Sequence, residues 1–465
     1  TGEITVIAYD LAVDELLFRA NHISPRISRG AINGQSLIVT NSLFIENEFE
    51  TKTTPFYSKN LDISHTRFVN NTFHSNLFYD HEGKALTLSN TLFEGNYFQD
   101  FEYDIIPLTD PCTNSTLNPC FLSEITFQRN TIHFLHDGLS IYRINQNSPD
   151  IEAKALIFKE NLFIKEENNT NSYFAISSLN SGSLNYIAIY DSLSQERVVL
   201  FSITSSNLTL ANVFLQNSTF SARDLALISC IELSVCYIKN LQLNHISLED
   251  AHLISSEDSS LQLHNLTITN STSYSTQFVV SKRSSYIEIN GVNITQNIIR
   301  KSTSNNPVVE LISILSTTSF KLYNLNSQAN EFEDPTLKFL SIESSIAEIR
   351  NCHFEDNNMF MDGLFQAISL QSYLMENITM LNNNILTHDS DQDSQFKIIS
   401  LDKSQASIKA MNSNRNHYQR VTIMFFLWIK MKSICQIFLY QEKTLRMVEI
   451  FWKLLKVPSK SQISL

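Results

Sequence analysis

Leu261-Gln262-Leu263-His264-Asn265-Leu266-Thr267-Ile268 alternates apolar and polar residues, skips two positions at His264-Asn265, then alternates again. The same slip recurs at Ile289/Val292/Ile294, at Ile349/Cys352/Phe354 and at Met375/Ile378/Met380. In one straight strand, a slip of one residue would turn every later side chain to the opposite face. Both halves can face inward only if the chain bends at the polar pair. A bend at the same place in every copy stacks corner on corner.

The copies extend along the chain. Val39-Thr40-Asn41-Ser42-Leu43-Phe44-Ile45-Glu46-Asn47 aligns with Ile63-Ser64-His65-Thr66-Arg67-Phe68-Val69-Asn70-Asn71. Leu88-Ser89-Asn90-Thr91-Leu92-Phe93-Glu94-Gly95-Asn96 and Ile349-Arg350-Asn351-Cys352-His353-Phe354-Glu355-Asp356-Asn357 follow the same template, which ends in Phe-x-x-Asn. Looser copies are anchored at Glu124 (Phe127, Asn130), Ala155 (Phe158, Asn161), Tyr186, Asn212, Asn240, Asn265, Gly291 (Asn297), Asn324 (Asn330), Asn377 (Asn383) and Asn412. Asn244-His245 competes with Asn240 as the corner of its copy. From 41 to 377 there are twelve intervals with a mean of 28 residues, a period that suits a solenoid. A further strand precedes each corner, as in Val199-Leu200-Phe201-Ser202-Ile203 and Phe339-Leu340-Ser341-Ile342, and Ser-rich turns such as Ser205-Ser206 and Ser284-Ser285 follow it. Three short strands per coil describe an all-β, right-handed parallel β-helix of about 14 coils of 24–35 residues. Phe44, Phe68, Phe93, Phe127, Phe158 and Phe354 are expected to stack inside it. Asn47, Asn71, Asn96, Asn297, Asn330, Asn357 and Asn383 are expected to form a hydrogen-bonded turn ladder, a structural role in preference to a row of ligand groups.

Composition agrees. Of 465 residues, 43% are hydrophobic, enough to bury a core, and 17% are charged. Gly numbers nine, so Asn is the expected occupant of left-handed turn positions. The net charge of −13 excludes nucleic acid as a partner, because phosphates would be repelled. No transmembrane span is expected, the longest apolar run being the nine residues Val421 to Ile429 against ~20 for a crossing. The chain opens at Thr1 with no charged-then-apolar leader, as a mature form or a fragment would.

The repeat resembles the right-handed β-helices of the pectin-lyase-like superfamily. Its Phe-x-x-Asn ending is similar to the repeat of chlamydial polymorphic outer-membrane proteins, and Gly30-Ala31-Ile32 echoes the Gly-Gly-Ala-Ile element paired with it there. The Asn-, Ser- and Phe-rich style is similar to large surface proteins of ciliated protists. The resemblance covers roughly residues 30–414 and implies a fold more than an activity. Members that cleave acidic polysaccharides carry adjacent aspartates, a Gly-His-Gly turn, or arginines over a calcium site. No Asp-Asp pair and no Gly-His-Gly occurs in this chain. Asp389-Ser390-Asp391-Gln392-Asp393 could hold calcium through spaced carboxylates, but it lacks the Gly and distal Glu of an EF-hand loop and reads as a solvated loop. Glu249-Asp250 is a second acidic pair, and His133-Phe134-Leu135-His136 beside Asp137 lacks a metalloprotease glutamate. No catalytic residue, metal or cofactor is therefore assigned.

Cys112 and Cys120 flank a short loop, and Cys230 and Cys236 form a second disulfide candidate pair, provided the compartment oxidises thiols. Cys352 falls on an interior slot. Asn-x-Ser/Thr sequons at Asn70, Asn114, Asn168, Asn207, Asn217, Asn265, Asn270, Asn293 and Asn377 permit glycosylation on a secretory route. The resulting expectation is a non-catalytic, extracellular structural or adhesive segment of a larger, membrane-attached surface protein, with glycans or other surface proteins as partners. The alternatives are a polysaccharide lyase or glycosidase, or a glycan-binding module using exposed Tyr and Asn.

Three segments are expected: 1–29 as an N-terminal segment or first coil, 30–414 as the repeats, and 415–465 as a basic, apolar tail. The tail holds nine Lys/Arg against two Asp/Glu, net +7, leaving −20 for residues 1–414. Its copy starts at Ile408-Lys409-Ala410-Met411-Asn412, but Arg415 takes the expected Phe position. A helix over Met447 to Lys456 could cap the coil or lie on a membrane; the abrupt break favours a lost reading frame instead. Sequencing the transcript across codons 405–420 checks this: a shifted frame is expected, and an unbroken frame ending as written contradicts it.

Overall fold

The computed structural model describes residues 6–23, 31–50, 53–74, 77–79, 85–99, 105–108, 121–134, 140–144, 151–165, 171–179, 182–194, 198–221, 225–274, 276–300, 310–386, 397–402, 406–414, 416–418 and 426–427. Among them the regular structure is all β, and strands lie parallel to their counterparts one turn away. The fold is a parallel β-solenoid. The chain forms two compact units, Thr1–Ser229 with Leu233–Cys236, and Cys230–Glu232 with Tyr237–Leu465.

In the first unit, Val6–Asp14 pairs with Ile32–Thr40, which pairs with Phe56–Ser64. The stack continues through Ala85–Glu94, Phe121–Gln128, Ile151–Lys159, Gly182–Tyr190 and Asn207–Gln216. A second face stacks Ser140–Ile144, Asn171–Ser177 and Val198–Thr204. Within the expected N-terminal segment, the strands of residues 6–23 pair in parallel with those of residues 32–49. In the second unit Ser260–Thr269 pairs with Tyr286–Thr295, then with Glu310–Gln328, Lys338–Glu355, Ser372–Leu381 and Ala406–Asn414.

Each parity slip is a left-handed bend. Every anchor from Asn41 to Asn377 has positive φ, from 46° at Asn90 to 73° at Gly291, including Glu124, Ala155 and Tyr186. Asn240 (57°) is the corner in its coil, while His245 (54°) makes a later bend. Gly291 is required on a second ground: a Cβ there would stand 2.7 Å from Asn265 Oδ1.

Three expectations need correction. First, a coil carries one strand more than the three read from sequence. After the Phe-x-x-Asn asparagine runs a strand of two to four residues, as in Glu48–Phe49, Thr72–Phe73 and Thr272–Tyr274. Among the described residues there are eight such strands in the first unit and seven in the second, so this face counts slightly differently from fourteen coils. Second, the Phe-x-x-Asn asparagines are not the left-handed residues. The residue before each takes that conformation, as Glu46 (55°), Asn70 (52°), Gly95 (64°) and Asp356 (53°) do. Third, the last copy is offset by two: Ile378 pairs with Met411 and Met380 with Ser413, so Ala410 fills the corner and Asn416 closes the coil. His417–Tyr418 pairs beside Asn384–Ile385, and Phe426–Leu427 beside Ser400–Leu401. Described strands thus lie on both sides of Arg415; Arg415 itself and the tail beyond residue 427, with its lost-frame or capping-helix readings, lie outside the described residues.

The interior is a set of columns. Phe44–Phe68, Phe68–Phe93, Phe93–Phe127 and Phe127–Phe158 stack with ring centroids 5.0, 4.8, 4.6 and 5.4 Å apart, and all five are fully buried. Phe354 is not in that column. Its neighbours in register are Ser327 and Met380, and it meets Phe339 and Phe365 edge-on. A second column, Phe49–Phe73–Phe98, and a third, Tyr142–Phe174–Phe201, stack beside the first in the same unit.

Beside the phenylalanines runs the asparagine column. Asn71 Nδ2 donates back to Phe44 O (3.0 Å) and forward to Asn96 Oδ1 (3.0 Å), while Asn71 Oδ1 accepts from both the backbone N and Nδ2 of Asn47 (2.9 Å each). Asn96, Asn130 and Asn161 continue it, and Asn297, Asn330, Asn357, Asn383 and Asn416 repeat it in the second unit. Both donors and both lone pairs of Asn71 are used, which a buried amide requires. A separate outer row links the exposed corners Asn324, Asn351 and Asn377, and Asn290 just before the Gly291 corner, by one amide bond per coil.

This separation predicts unequal costs. Asn96→Ala leaves the Asn71 donors and the Phe68 carbonyl buried without partners, each worth about 1–3 kcal/mol. Phe93→Ala removes a ring from the middle of a stack and is expected to cost ~3–5 kcal/mol. Asn351→Gly keeps the corner's left-handed φ and is expected to cost under ~1 kcal/mol. Urea unfolding of the three variants checks the order.

Candidate functional site

Stacking in register brings together outward side chains that lie 25–34 residues apart. In the second unit one outward row runs Glu288, Lys321, Glu348 and Leu374; the adjoining row runs Asn290, Tyr323, Arg350, Glu376 and Lys409. Strand alternation sends Ile289, Leu322, Ile349 and Met375 inward between them, so the charged groups cannot turn away from solvent.

The groups bind one another. Tyr323 donates its hydroxyl to Glu348 Oε2 at 2.8 Å, and Arg350 Nη2 stands 2.5 Å from Glu348 Oε1. Arg350 Nε lies 3.6 Å from Glu376 Oε2, an ion pair longer than a hydrogen bond. Tyr286 donates to Glu288, and Lys321 Nζ lies 5.6 Å above the Tyr286 ring. Partial burial and the carboxylate of Glu288 push the Tyr286 hydroxyl up to about 12; burial and Glu348 raise Tyr323 as well. The outcome is a mixed-charge face with two phenols, three cations and three carboxylates. It can bind polar ligands by hydrogen bonds and point charges. Glu288 and Glu348 are two coils apart, about 10 Å by two strand spacings of ~4.8 Å.

The other residues singled out by sequence fall elsewhere. Cys230 and Cys236 are buried and both disulfide-bonded. Cys112 and Cys120 lie outside the described residues. Cys352 is a buried free thiol, its pKa pushed up to about 12 by burial. Asn70, Asn207, Asn217, Asn265, Asn270 and Asn377 are exposed and Asn293 is half-buried, while Asn114 and Asn168 lie outside the described residues. Asn217, Asn265 and Asn377 already donate Nδ2 to Asp191, Asn240 and Asn351 of the preceding coil. The Asp389–Asp393 run, His136 and Asp137 also lie outside the described residues, and no metal-holding cluster occurs among the described ones. No described helix is long and apolar enough to cross a membrane. The Tyr–Glu–Arg face escaped the sequence reading because its members meet only through the register of four coils.

No family model matches the chain, and no curated protein matches it. Among solved structures, a PL6 family alginate lyase, AlyGC, is similar at 9% identity, covering 88% of this chain and 95% of that chain, with a TM-score of 0.15. At that score the likeness bears on neither fold nor chemistry; both rest on the geometry above. The class defined by the coordinates is a parallel β-solenoid with ordered internal Phe and Asn columns.

Ultraviolet titration checks the electrostatics of this face. A raised phenol pKa keeps the proton on the folded form, so Tyr286 stabilises the fold below its ordinary pKa of 10.0. That contribution is lost as pH rises from there through about 12. Glu348→Gln is expected to lower the Tyr323 ionisation toward its ordinary value, with little change in the fold.

Proposed function

We propose that the chain is a non-catalytic, extracellular β-helix segment of a larger cell-surface protein, used as a stiff spacer or adhesive surface. The family kinship we infer is with pectin-lyase-like β-helices and with proteins built on Phe-x-x-Asn repeats. One observation carries the reading. The Phe and the closing Asn of the repeat template are committed inward, to ring contacts and to amides whose hydrogen-bonding positions are occupied by neighbouring coils. Recurrence therefore serves a repeated scaffold, and the outer faces vary from coil to coil, as a contact surface requires. The disulfide-bonded state of Cys230 and Cys236 and the exposed sequons fit an oxidising, secretory route. Attachment to a membrane would come from regions outside this chain.

A polysaccharide-cleaving enzyme is the second reading, favoured by Glu288 and Glu348 flanking Lys321 at a spacing near the upper limit for inverting glycosidases. Glu348, however, is already engaged by Tyr323 and Arg350. Incubation with a panel of neutral and acidic polysaccharides is expected to release neither reducing ends nor unsaturated uronates. Antibody to the chain is expected to label intact, unpermeabilised cells of its source. Sugar release that disappears in Glu288→Gln or Glu348→Gln would overturn the non-catalytic reading.

A further inference from the structure

The first unit carries an outward feature of different chemistry. The corner slot filled by Ala155 in one coil and Asn212 two coils on is filled between them by Tyr186, at φ 58°. The fold sets the left-handed conformation at this corner, and holds Glu124, Ala155 and Asn212 in it too, so it is the ring and not the φ that sets Tyr186 apart. Tyr186 is 42% exposed, and its ring centroid lies 5.5 Å from Phe214 at an angle of 52°. Phe214 stands on the next coil above Ala188, whose methyl gives it a low, apolar neighbour. The matching outward slots of the second unit hold Thr267, Asn293, Asn326, His353 and Thr379, four of the five without a ring, so an exposed ring there is not a demand of the fold.

Polar groups border the rings. Tyr190 lies close to Tyr186, its phenol pKa raised by burial and by that neighbour, and Asn212 Nδ2 donates to Asn185 Oδ1 at 2.8 Å. None of these groups is charged at neutral pH. An apolar ring face edged by uncharged amides and phenols matches a pyranose, which presents an apolar C–H face and a rim of hydroxyls. Lys154 and Lys159 stand one coil below, in register with Asn185 and Tyr190, and Lys159 is already ion-paired with Glu160 at 3.3 Å.

We propose that Tyr186, Phe214 and Tyr190, with the Asn185–Asn212 amide pair, form a stacking subsite for a neutral saccharide. This rests on the adhesive reading above and gives it a ligand class. Binding is measured on the full chain by saturation-transfer NMR and calorimetry, with cellohexaose and mannohexaose as neutral probes and an oligogalacturonate as the charged one. One neutral hexasaccharide is expected to bind in preference to the oligogalacturonate, and Tyr186→Asn and Phe214→Thr are each expected to weaken it at least tenfold. Because Asn tolerates the left-handed region, Tyr186→Asn is expected to leave the melting temperature unchanged or higher, which separates lost binding from lost folding. The proposal is overturned if neither neutral probe binds, if both variants bind as the parent does, or if the variants abolish self-association of the chain instead. Should Tyr186→Asn protein still attach to cell material as the parent does, the subsite is overturned while the adhesive reading stands.

Discussion

Every asparagine of the inner column has to satisfy four hydrogen-bonding positions where water does not reach, and that constraint organises the rest. The left-handed residue before it turns the chain, and the asparagine's own N–H then points along the stack. Its partner is the side-chain oxygen of the next asparagine, as when Asn96 N–H donates to Asn130 Oδ1 at 2.9 Å. The same amide reaches back to a backbone carbonyl of the preceding coil, so one side chain ties three coils together. An unpaired buried amide or carbonyl costs more than a made bond contributes, so a slip of register is strongly disfavoured.

From this tie follows the arrangement of everything else. A fixed register places Phe68 on Phe44 and Phe93 on Phe68, and each ring buries its faces against rings of the same kind. It also fixes which outward residues become neighbours, giving Glu288, Lys321 and Glu348 one row and Tyr186 a place beside Phe214. Where the column departs from Asn, serine substitutes, except at Ile246, whose N–H meets Ser271 Oγ at 3.1 Å. Asn161 N–H meets Ser192 Oγ at 3.4 Å, Ser192 N–H meets Ser218 Oγ at 3.1 Å, and in the second unit Ser271 N–H meets Asn297 Oδ1 at 2.9 Å. A hydroxyl carries the backbone bond but lacks the second donor, so these coils are held less fully.

The fold was legible because side-chain alternation has a period of two, and a slip in it has one physical remedy. Asn265, Gly291, Asn351 and Asn377 sit at the slips, and all four have positive φ. What stayed hidden has equally plain causes. Asn serves both as a left-handed corner and as a buried amide, and the letter alone does not separate Asn70 from Asn71. Strands of two or three residues, such as Glu48–Phe49, are too short to show alternation, which is why the extra strand and the Phe49–Phe73–Phe98 column went unread. The final coil was misplaced by two residues because Ser413 stands where Phe stands in the clearest copies. The candidate faces were not legible, since neighbours 25–34 residues apart become a site only once the register is known.

The central claim is that buried side-chain amides lock successive coils. Hydrogen exchange of the Asn71, Asn96 and Asn130 side-chain NH2 protons, followed by NMR on the native protein, tests it most directly. Protection comparable to that of the flanking strand amides, with rapid exchange at the exposed Asn351 and Asn377, is the predicted result. Side-chain protons of Asn71, Asn96 and Asn130 that exchange as fast as those of the exposed corners would contradict the account.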